Sequence, residues 1–321
     1  MKKNREIFST LGPATLNRDF LKFANKKISL FRLNMSHIKI NKLKNSIKYI
    51  RKYSKIPICI DTEGAQIRTS VKKKINYKEK KKLVIFKDKG NFRIYPPEVF
   101  NQIKKNDLLD IGFNTLKIKV TKVSDKKINC KVFSGGRLEN NKGVHIVNRN
   151  IKLNFITKKD KLAIDIAKKM NIKYYALSFT NSHEDIIKFN KLLNNKVKIF
   201  KIETKNAIKN LNKIMSAGKK FLIDRGDLSK DVSIEMLPIF QRKILMLAKI
   251  KKKQVYVATN FLESMVKNKY PTLGEANDIY RTLEDGASGL VLAAETAVGK
   301  YPKECVVFLK NMIKTYGKSR L

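Results

Sequence analysis

Short runs of β-branched and aromatic residues alternate along the chain with longer amphipathic stretches. The apolar runs predict strands over Ile7–Gly12, Ile28–Asn34, Ile56–Thr62, Lys173–Phe179, Val197–Glu203, Lys220–Asp227, Gln254–Asn260 and Gly289–Glu295. Apolar positions at helical spacing predict helices over Leu16–Lys27, Ile40–Tyr53, Lys158–Met170, His183–Leu193, Ala207–Ala217, Ser233–Lys251, Leu273–Glu284 and Pro302–Tyr316. Pro302, at the first position of the last stretch, is an N-terminal helix signal. Strands that are nearly continuously apolar, each followed by a helix, imply a parallel sheet covered by helices. Eight such units predict an α/β fold, a (β/α)8 TIM barrel.

The rhythm breaks between positions 70 and 149. There the pattern changes to short alternating runs (Leu83–Phe86, Thr115–Val120, Asn129–Phe133) punctuated by Gly90, Gly112, Gly135, Gly136 and Gly143. This reads as a small all-β domain inserted after the third strand. The expected division is therefore 1–69 for the first part of the barrel, 70–149 for the insertion and 150–321 for the second part. About 240 residues remain for the barrel, close to the roughly 250 typical of that fold. An insertion at a strand's C-terminal end belongs over the barrel mouth, where such enzymes carry lids.

Composition changes this picture little, but charge raises a question. Of the residues, 42% are hydrophobic, enough for a core despite 31% charged residues. Lys+Arg number 71 against 27 Asp+Glu, a formal net charge of +44. That excess invites a polyanion-binding reading. Yet only 12 of the basic residues are arginine, the residue whose planar fork reads phosphates and base edges. Lysine is spread over the whole length, so the excess reads as background, with no specific nucleic acid as partner. Cys59, Cys130 and Cys305 form no CxxC pair, and His37, His145 and His183 are scattered. This speaks against a zinc site or a disulfide scaffold. With no run of 18 apolar residues and no apolar signal core at the N-terminus, a cytoplasmic protein without membrane partners is expected.

Barrel enzymes build their sites from the C-terminal ends of strands. Here those ends supply Arg32, Asn34 and Ser36, then Asp61 and Thr62 with Arg68 beyond. The later strands supply Lys201 and Glu203, then Arg225, Gly226 and Asp227, then Thr259 and Asn260, then Glu295 and Thr296. Glu203 and Asp227 offer carboxylates to a hard divalent cation such as magnesium. A lysine and an arginine aimed at the same space neutralise charge on a transferring phosphoryl group. Asn34, Ser36, Asp61 and Thr62 offer oxygens and one negative charge, suiting a monovalent cation. The residues alone point to phosphoryl transfer or enolate chemistry on a small anion. The bland alternatives are salt-bridged surface acids for Glu203 and Asp227 and one more solvated lysine for Lys201. Strand alternation, which sends Lys201 and Glu203 to the same face, favours the site.

At these residues the sequence resembles the pyruvate kinase family. The segments that carry the resemblance are STLGPAT (9–15), RLNMSH (32–37), DTEGAQIRT (61–69), GGRLENNKGV (135–144), KIE (201–203), RGDL (225–228), ATNFLESM (258–265), PTLGEANDI (271–279) and AAETAVGKYP (293–302), in the family's order. The resemblance implies transfer of the phosphoryl group of phosphoenolpyruvate to ADP, giving ATP and pyruvate. Arg32 and Lys201 would be catalytic on the phosphoryl group and Thr259 would sit by the carbon that is protonated. Lys201, Gly226, Asp227 and Thr259 would bind the substrate, the Gly226 and Asp227 amides taking its carboxylate. Glu203 and Asp227 would hold Mg2+, Asn34, Ser36, Asp61 and Thr62 would hold K+, and His37, Arg68 and Lys142 would face the nucleotide phosphates.

The sequence also departs from the family's pattern. Gln66 stands where the family has Glu or Lys, Asp224 replaces a small residue before Arg-Gly-Asp, Asn260 replaces Gln, and Ala293 and Ala294 replace Ser-Gly. Ile111, Asn181 and Leu273 replace an aspartate and two arginines. Asp224 is expected either to repel a substrate carboxylate or to find a lysine partner. The sequence ends just after the eighth helix, so the expectation is a minimal form without the effector-binding C-terminal domain of many relatives. Any homo-oligomer would then form through the barrel. The alternatives are a divergent enzyme acting on another small keto or enol acid, and a non-catalytic nucleotide- or RNA-binding descendant.

Overall fold

The computed structural model describes residues 5–112, 115–147, 149, 151 and 153–319. Positions 1–4, 150, 152 and 320–321 of the expected barrel, and 113–114 and 148 of the expected insertion, lie outside the described residues. Two compact units emerge, one of residues 1–64 and 158–321, the other of residues 65–157.

The first unit is a closed barrel of eight parallel strands. In chain order they are Glu6–Thr10, Leu30–Asn34, Ile58–Asp61, Tyr174–Leu177, Val197–Ile202, Lys220–Asp224, Gln254–Ala258 and Gly289–Leu292. Each pairs with its sequence neighbour in the barrel, and the last closes on the first through Glu6 opposite Gly289. Phe8, Leu30, Cys59, Ala176, Ile199, Leu222, Tyr256 and Val291 form one apolar layer inside the barrel. Because side chains alternate with a period of two, the residues two further on also point inward. That next layer is Thr10, Arg32, Asp61, Ser178, Lys201, Asp224, Ala258 and Ala293. The change from apolar to charged within one pleat marks the boundary between packed core and mouth.

Several strands are shorter at their C-terminal ends than the apolar runs predict. The sixth stops at Asp224, and Arg225–Leu228 forms a single helical turn. The eighth stops at Leu292, and Ala294–Ala297 does the same. At these positions the chain leaves the sheet to turn into the following helix, and apolar patterning does not register the turn. Likewise, the helix expected over 207–217 is two, Lys205–Lys209 and Leu211–Ala217, joined at Asn210. Thr204 caps the first by accepting the Ala207 N–H. The helices His183–Leu192 and Leu273–Glu284 both open on capping boxes, Ser182 with Asp185 and Thr272 with Glu275.

The second unit is all-β. Its main sheet is antiparallel, in the order Val144–Ile146, Leu108–Ile111, Leu116–Val123, Lys127–Ser134 and Lys82–Phe86. Ile85, Leu109, Ile111, Leu116, Ile118 and Ile128 are fully buried in its core. Ile111 is therefore a packing residue here. Asp107 ties this core to its edge: it accepts two hydrogen bonds from Arg149, at 2.8 and 2.7 Å, and one from the Lys104 N–H at 2.8 Å. Burial works to raise the Asp107 pKa, but these donors outweigh it and hold the carboxyl below its ordinary value. Asp107→Asn is expected to lower stability by about 2 kcal/mol at neutral pH. A carboxylate with a depressed folded pKa stabilises above its unfolded pKa, and that contribution disappears as pH falls through the folded value. The difference between wild type and variant in urea unfolding should therefore shrink below about pH 4. Equal unfolding midpoints at pH 7 would show that the pair contributes nothing.

All three cysteines are buried and free. Burial pushes the Cys130 and Cys305 thiols up to about 12, as expected of small packing residues. Among the described residues no helix is long and apolar enough to cross a membrane.

Candidate active site

The mouth of the barrel unit is organised around the Lys201 ammonium. Lys201 Nζ lies 2.7 Å from Glu203 Oε1, 3.4 Å from Asp61 Oδ2, 3.5 Å from Asp224 Oδ2 and 3.1 Å from Ser178 Oγ. Burial works against its charge, but Asp61, Glu203 and Asp224 together outweigh that effect and raise its pKa. Arg32, one strand from Asp61, sets Nη1 3.2 Å from Asp61 Oδ2 and 3.9 Å from Asp224 Oδ2. Its Nε donates to Thr10 Oγ1 at 2.8 Å, which fixes the plane of the guanidinium. Burial opposes the Arg32 charge as well, and the same carboxylates overcome it.

Glu203 is 1% exposed. Its Oε2 accepts the Phe179 N–H at 2.6 Å, and Phe179 adopts a positive φ of 53°. Burial pushes the Glu203 carboxyl above its ordinary value, with Lys201 pulling against the rise and Asp227 and Asp224 adding to it. Oxygens of Glu203, Asp224 and Asp227 all lie within 4.8 Å of one another. Three carboxylates at that spacing fit a hard divalent cation of the magnesium type. Glu203 and Asp227 were the expected pair, and the third carboxylate comes from Asp224, the last residue of the sixth strand. Asp227 also pairs with Lys230 at 2.7 Å.

Thr259 holds φ +72°, a costly backbone conformation for a β-branched residue. In return its Oγ1 accepts the Gly226 N–H at 2.8 Å and reaches Asp224 Oδ1 at 3.3 Å. Gly226 and Thr259 are thus brought together, with the Gly226 amide turned to the threonine hydroxyl. Arg225 faces elsewhere, donating to Thr259 O and pairing with Asp278 at 2.7 Å, with Phe261 beneath its guanidinium.

The four oxygen-bearing residues expected to hold potassium are also neighbours. Asn34 and Asp61 stand opposite each other on adjacent strands. Asn34 Oδ1 accepts the Ser36 N–H at 2.9 Å, and Thr62 Oγ1 accepts the Ser178 N–H at 3.0 Å. The donor set is chemically suited to a monovalent cation, although the Asp61 charge is already shared by Arg32 and Lys201. Of the three expected nucleotide-facing residues, His37 belongs to the barrel unit and Arg68 and Lys142 to the β unit. Within the β unit Arg68 Nη1 donates to Asn141 O at 3.4 Å, and Lys142 Nζ pairs with Glu139 at 3.1 Å.

Three contributors escaped the reading of strand ends. Ser178 and Thr10 lie at the ends of the fourth and first strands, and applying the same rule to those two ends finds both. Asp160 accepts the Glu63 and Gly64 N–H groups at 2.7 and 3.0 Å, shaping the turn after Asp61 and Thr62. Gly64 takes φ +76° there, with Ser178 so close that a Cβ would approach it to 2.6 Å. Only the three-dimensional fold brings Asp160 to this turn. Glu295, a mouth carboxylate in the sequence, is spent on backbone: it accepts the Leu262 and Ala293 N–H groups at 3.2 and 2.7 Å.

The family described as "Pyruvate kinase, barrel domain" matches residues 2–306. A pyruvate kinase of Thermotoga maritima is 32% identical over 330 residues, covering 97% of this chain and 71% of the relative. A pyruvate kinase of Staphylococcus aureus (strain MRSA252) is 30% identical over 339 residues, covering 97% of this chain but only 56% of the relative.

Proposed function

Because the chain belongs to the pyruvate kinase family, we propose that it transfers the phosphoryl group of phosphoenolpyruvate to ADP, giving ATP and pyruvate. The observation that carries this reading is the buried Lys201 ammonium, set between Arg32 and the carboxylates of Glu203 and Asp224 at the barrel mouth.

In this reading Arg32 binds an oxygen of the phosphoryl group, and its contact with Thr10 keeps it oriented before the anion arrives. Lys201 compensates charge as it shifts from the phosphoryl group to the enolate oxygen, with its own charge secured by the surrounding carboxylates. Glu203 and Asp227 are the residues that would hold Mg2+. Such a cation, when bound, screens the phosphoryl charge and stabilises the developing enolate. The backbone N–H of Asp227 receives the substrate carboxylate, joined by that of Gly226 once it exchanges the Thr259 hydroxyl for the substrate. Thr259 lies next to the carbon that takes up a proton. Asn34, Ser36, Asp61 and Thr62 bind K+, and the nucleotide phosphates are assigned to His37, Arg68 and Lys142.

Purified protein mixed with phosphoenolpyruvate and ADP is expected to form pyruvate and ATP in equal amounts, only with Mg2+ present and faster with K+. Absence of product from the wild type under these conditions would overturn the assignment. Tight, salt-sensitive RNA binding without turnover would favour the non-catalytic reading instead.

A further inference from the structure

Asp224 sits in the mouth cluster, where the reading above uses it only as one of the carboxylates around Lys201. It follows Leu222 by two residues on the sixth strand, so the barrel pleat turns it inward above the apolar layer. Only 5% exposed, it approaches both cations intended for an incoming anion: Lys201 at 3.5 Å and Arg32 at 3.9 Å. Arg32 Nη1 is itself buried and makes no hydrogen bond, meeting Asp61 and Asp224 only at ion-pair range. It therefore keeps a hydrogen-bonding capacity that a phosphoryl oxygen would use. Arg32 and Lys201 face the carboxyl groups of Asp61, Glu203 and Asp224, while the neighbouring Asp227 has Lys230 as its cation. Asp224 therefore competes with an incoming anion for Lys201 and Arg32, and a divalent cation held by Asp224, Glu203 and Asp227 would draw it away from them.

We propose that Asp224 is a resident counter-ion that holds Lys201 and Arg32 against an incoming phosphoryl anion, so that anion binding at this mouth requires a divalent cation. The same carboxylate, within 4.8 Å of Glu203 and Asp227 oxygens, strengthens the hold on that cation. The inference rests on the phosphoryl-transfer reading for the identity of the anion, whereas the charge arrangement stands independently. It makes Asp224 a positioning residue that sets the order of binding, cation first and anion second.

The test is equilibrium binding by calorimetry of two probes, inorganic phosphate in the presence of a chelator and Mn2+ alone. Asp224→Asn keeps the size of the side chain and its reach to Thr259, and Asp224→Ala removes both. Each variant is expected to bind metal-free phosphate about tenfold more tightly than wild type and Mn2+ about tenfold more weakly. The gain in phosphate affinity should vanish when Lys201→Met is added to Asp224→Asn. If it persists, the phosphate sits elsewhere on this basic surface and the inference falls. Unchanged phosphate affinity in both single variants would overturn it as well. The outcomes separate from those of the catalytic reading. Turnover by wild type with unshifted binding in the variants sinks only the role of Asp224. Shifted binding in a protein that forms no pyruvate sinks only the proposed reaction.

Discussion

Lys201→Met is expected to lower pyruvate formation by about 10³-fold or more while substrate binding weakens far less. Loss of one preorganised donor at a developing oxyanion costs roughly 10²–10³ in turnover, and Lys201 is placed to serve both the phosphoryl group and the enolate. The substitution also has a structural consequence. Asp61, Glu203 and Asp224 surround the Lys201 ammonium, and without it they share Arg32 alone. Removing one partner from such a buried cluster typically costs about 3–5 kcal/mol. The sign of its pH dependence follows. Carboxylates crowded together without their cation have folded pKa values raised above the unfolded ones, so the variant's folded state binds more protons. Its deficit relative to wild type is largest at neutral pH and shrinks as pH falls toward the ordinary carboxylate range. Steady-state kinetics at saturating substrate, with urea unfolding at pH 7.5 and pH 5, reads both effects. Undiminished turnover would remove Lys201 from the chemistry, and a stability loss that grows on acidification would contradict the electrostatic account.

Glu203→Gln is expected to weaken binding of a divalent cation by about 100-fold or more and to lower turnover at subsaturating Mg2+ by a similar factor. Even residues that only support metal ligands cost roughly 10–100-fold in affinity when lost, and Glu203 would be a ligand. The variant suits the question because glutamine retains an oxygen to accept the Phe179 N–H, the contact that fixes Glu203 Oε2 at 2.6 Å. The backbone at Phe179 should therefore stay in place while the charge disappears. Mn2+ titration by calorimetry, with no substrate present, isolates the metal from the reaction. Equal Mn2+ affinity in wild type and variant would show that the cation is held elsewhere. Recovery of turnover at high Mg2+ would place the defect in metal affinity and not in a disrupted fold.

Much of this site was legible along the chain, and the particular residues show why. Lys201 and Glu203 alternate with Phe200 and Ile202, so strand periodicity alone sends them to one face. Arg32 and Asp61 were legible for the same reason, each two residues past an apolar inward position. Ser178 and Thr10 obey the identical rule and were overlooked only because their two strand ends were not read. Asp160 is different: its partners at Glu63 and Gly64 are 97 and 96 residues away in sequence, and no local pattern announces the contact. Asp224 falls between these cases. Its lysine partner was one of two expected outcomes, but the sequence could not say which, because the answer depends on how neighbouring strands are staggered.

By itself, then, the sequence determined the eight strand–helix units, the β insertion and the set of side chains turned to the barrel's interior, since these follow from periodicities of two and 3.6 residues. The tertiary structure decided which of those side chains meet. Closure of the barrel brings Lys201 to Asp61 across 140 residues of chain and turns Glu295 from the mouth to the backbone of Leu262 and Ala293. It also places Asp224 against Lys201 and Arg32. Periodicity fixes the direction of a side chain from its own strand, whereas an ion pair depends on the register between strands, which only the closed barrel sets.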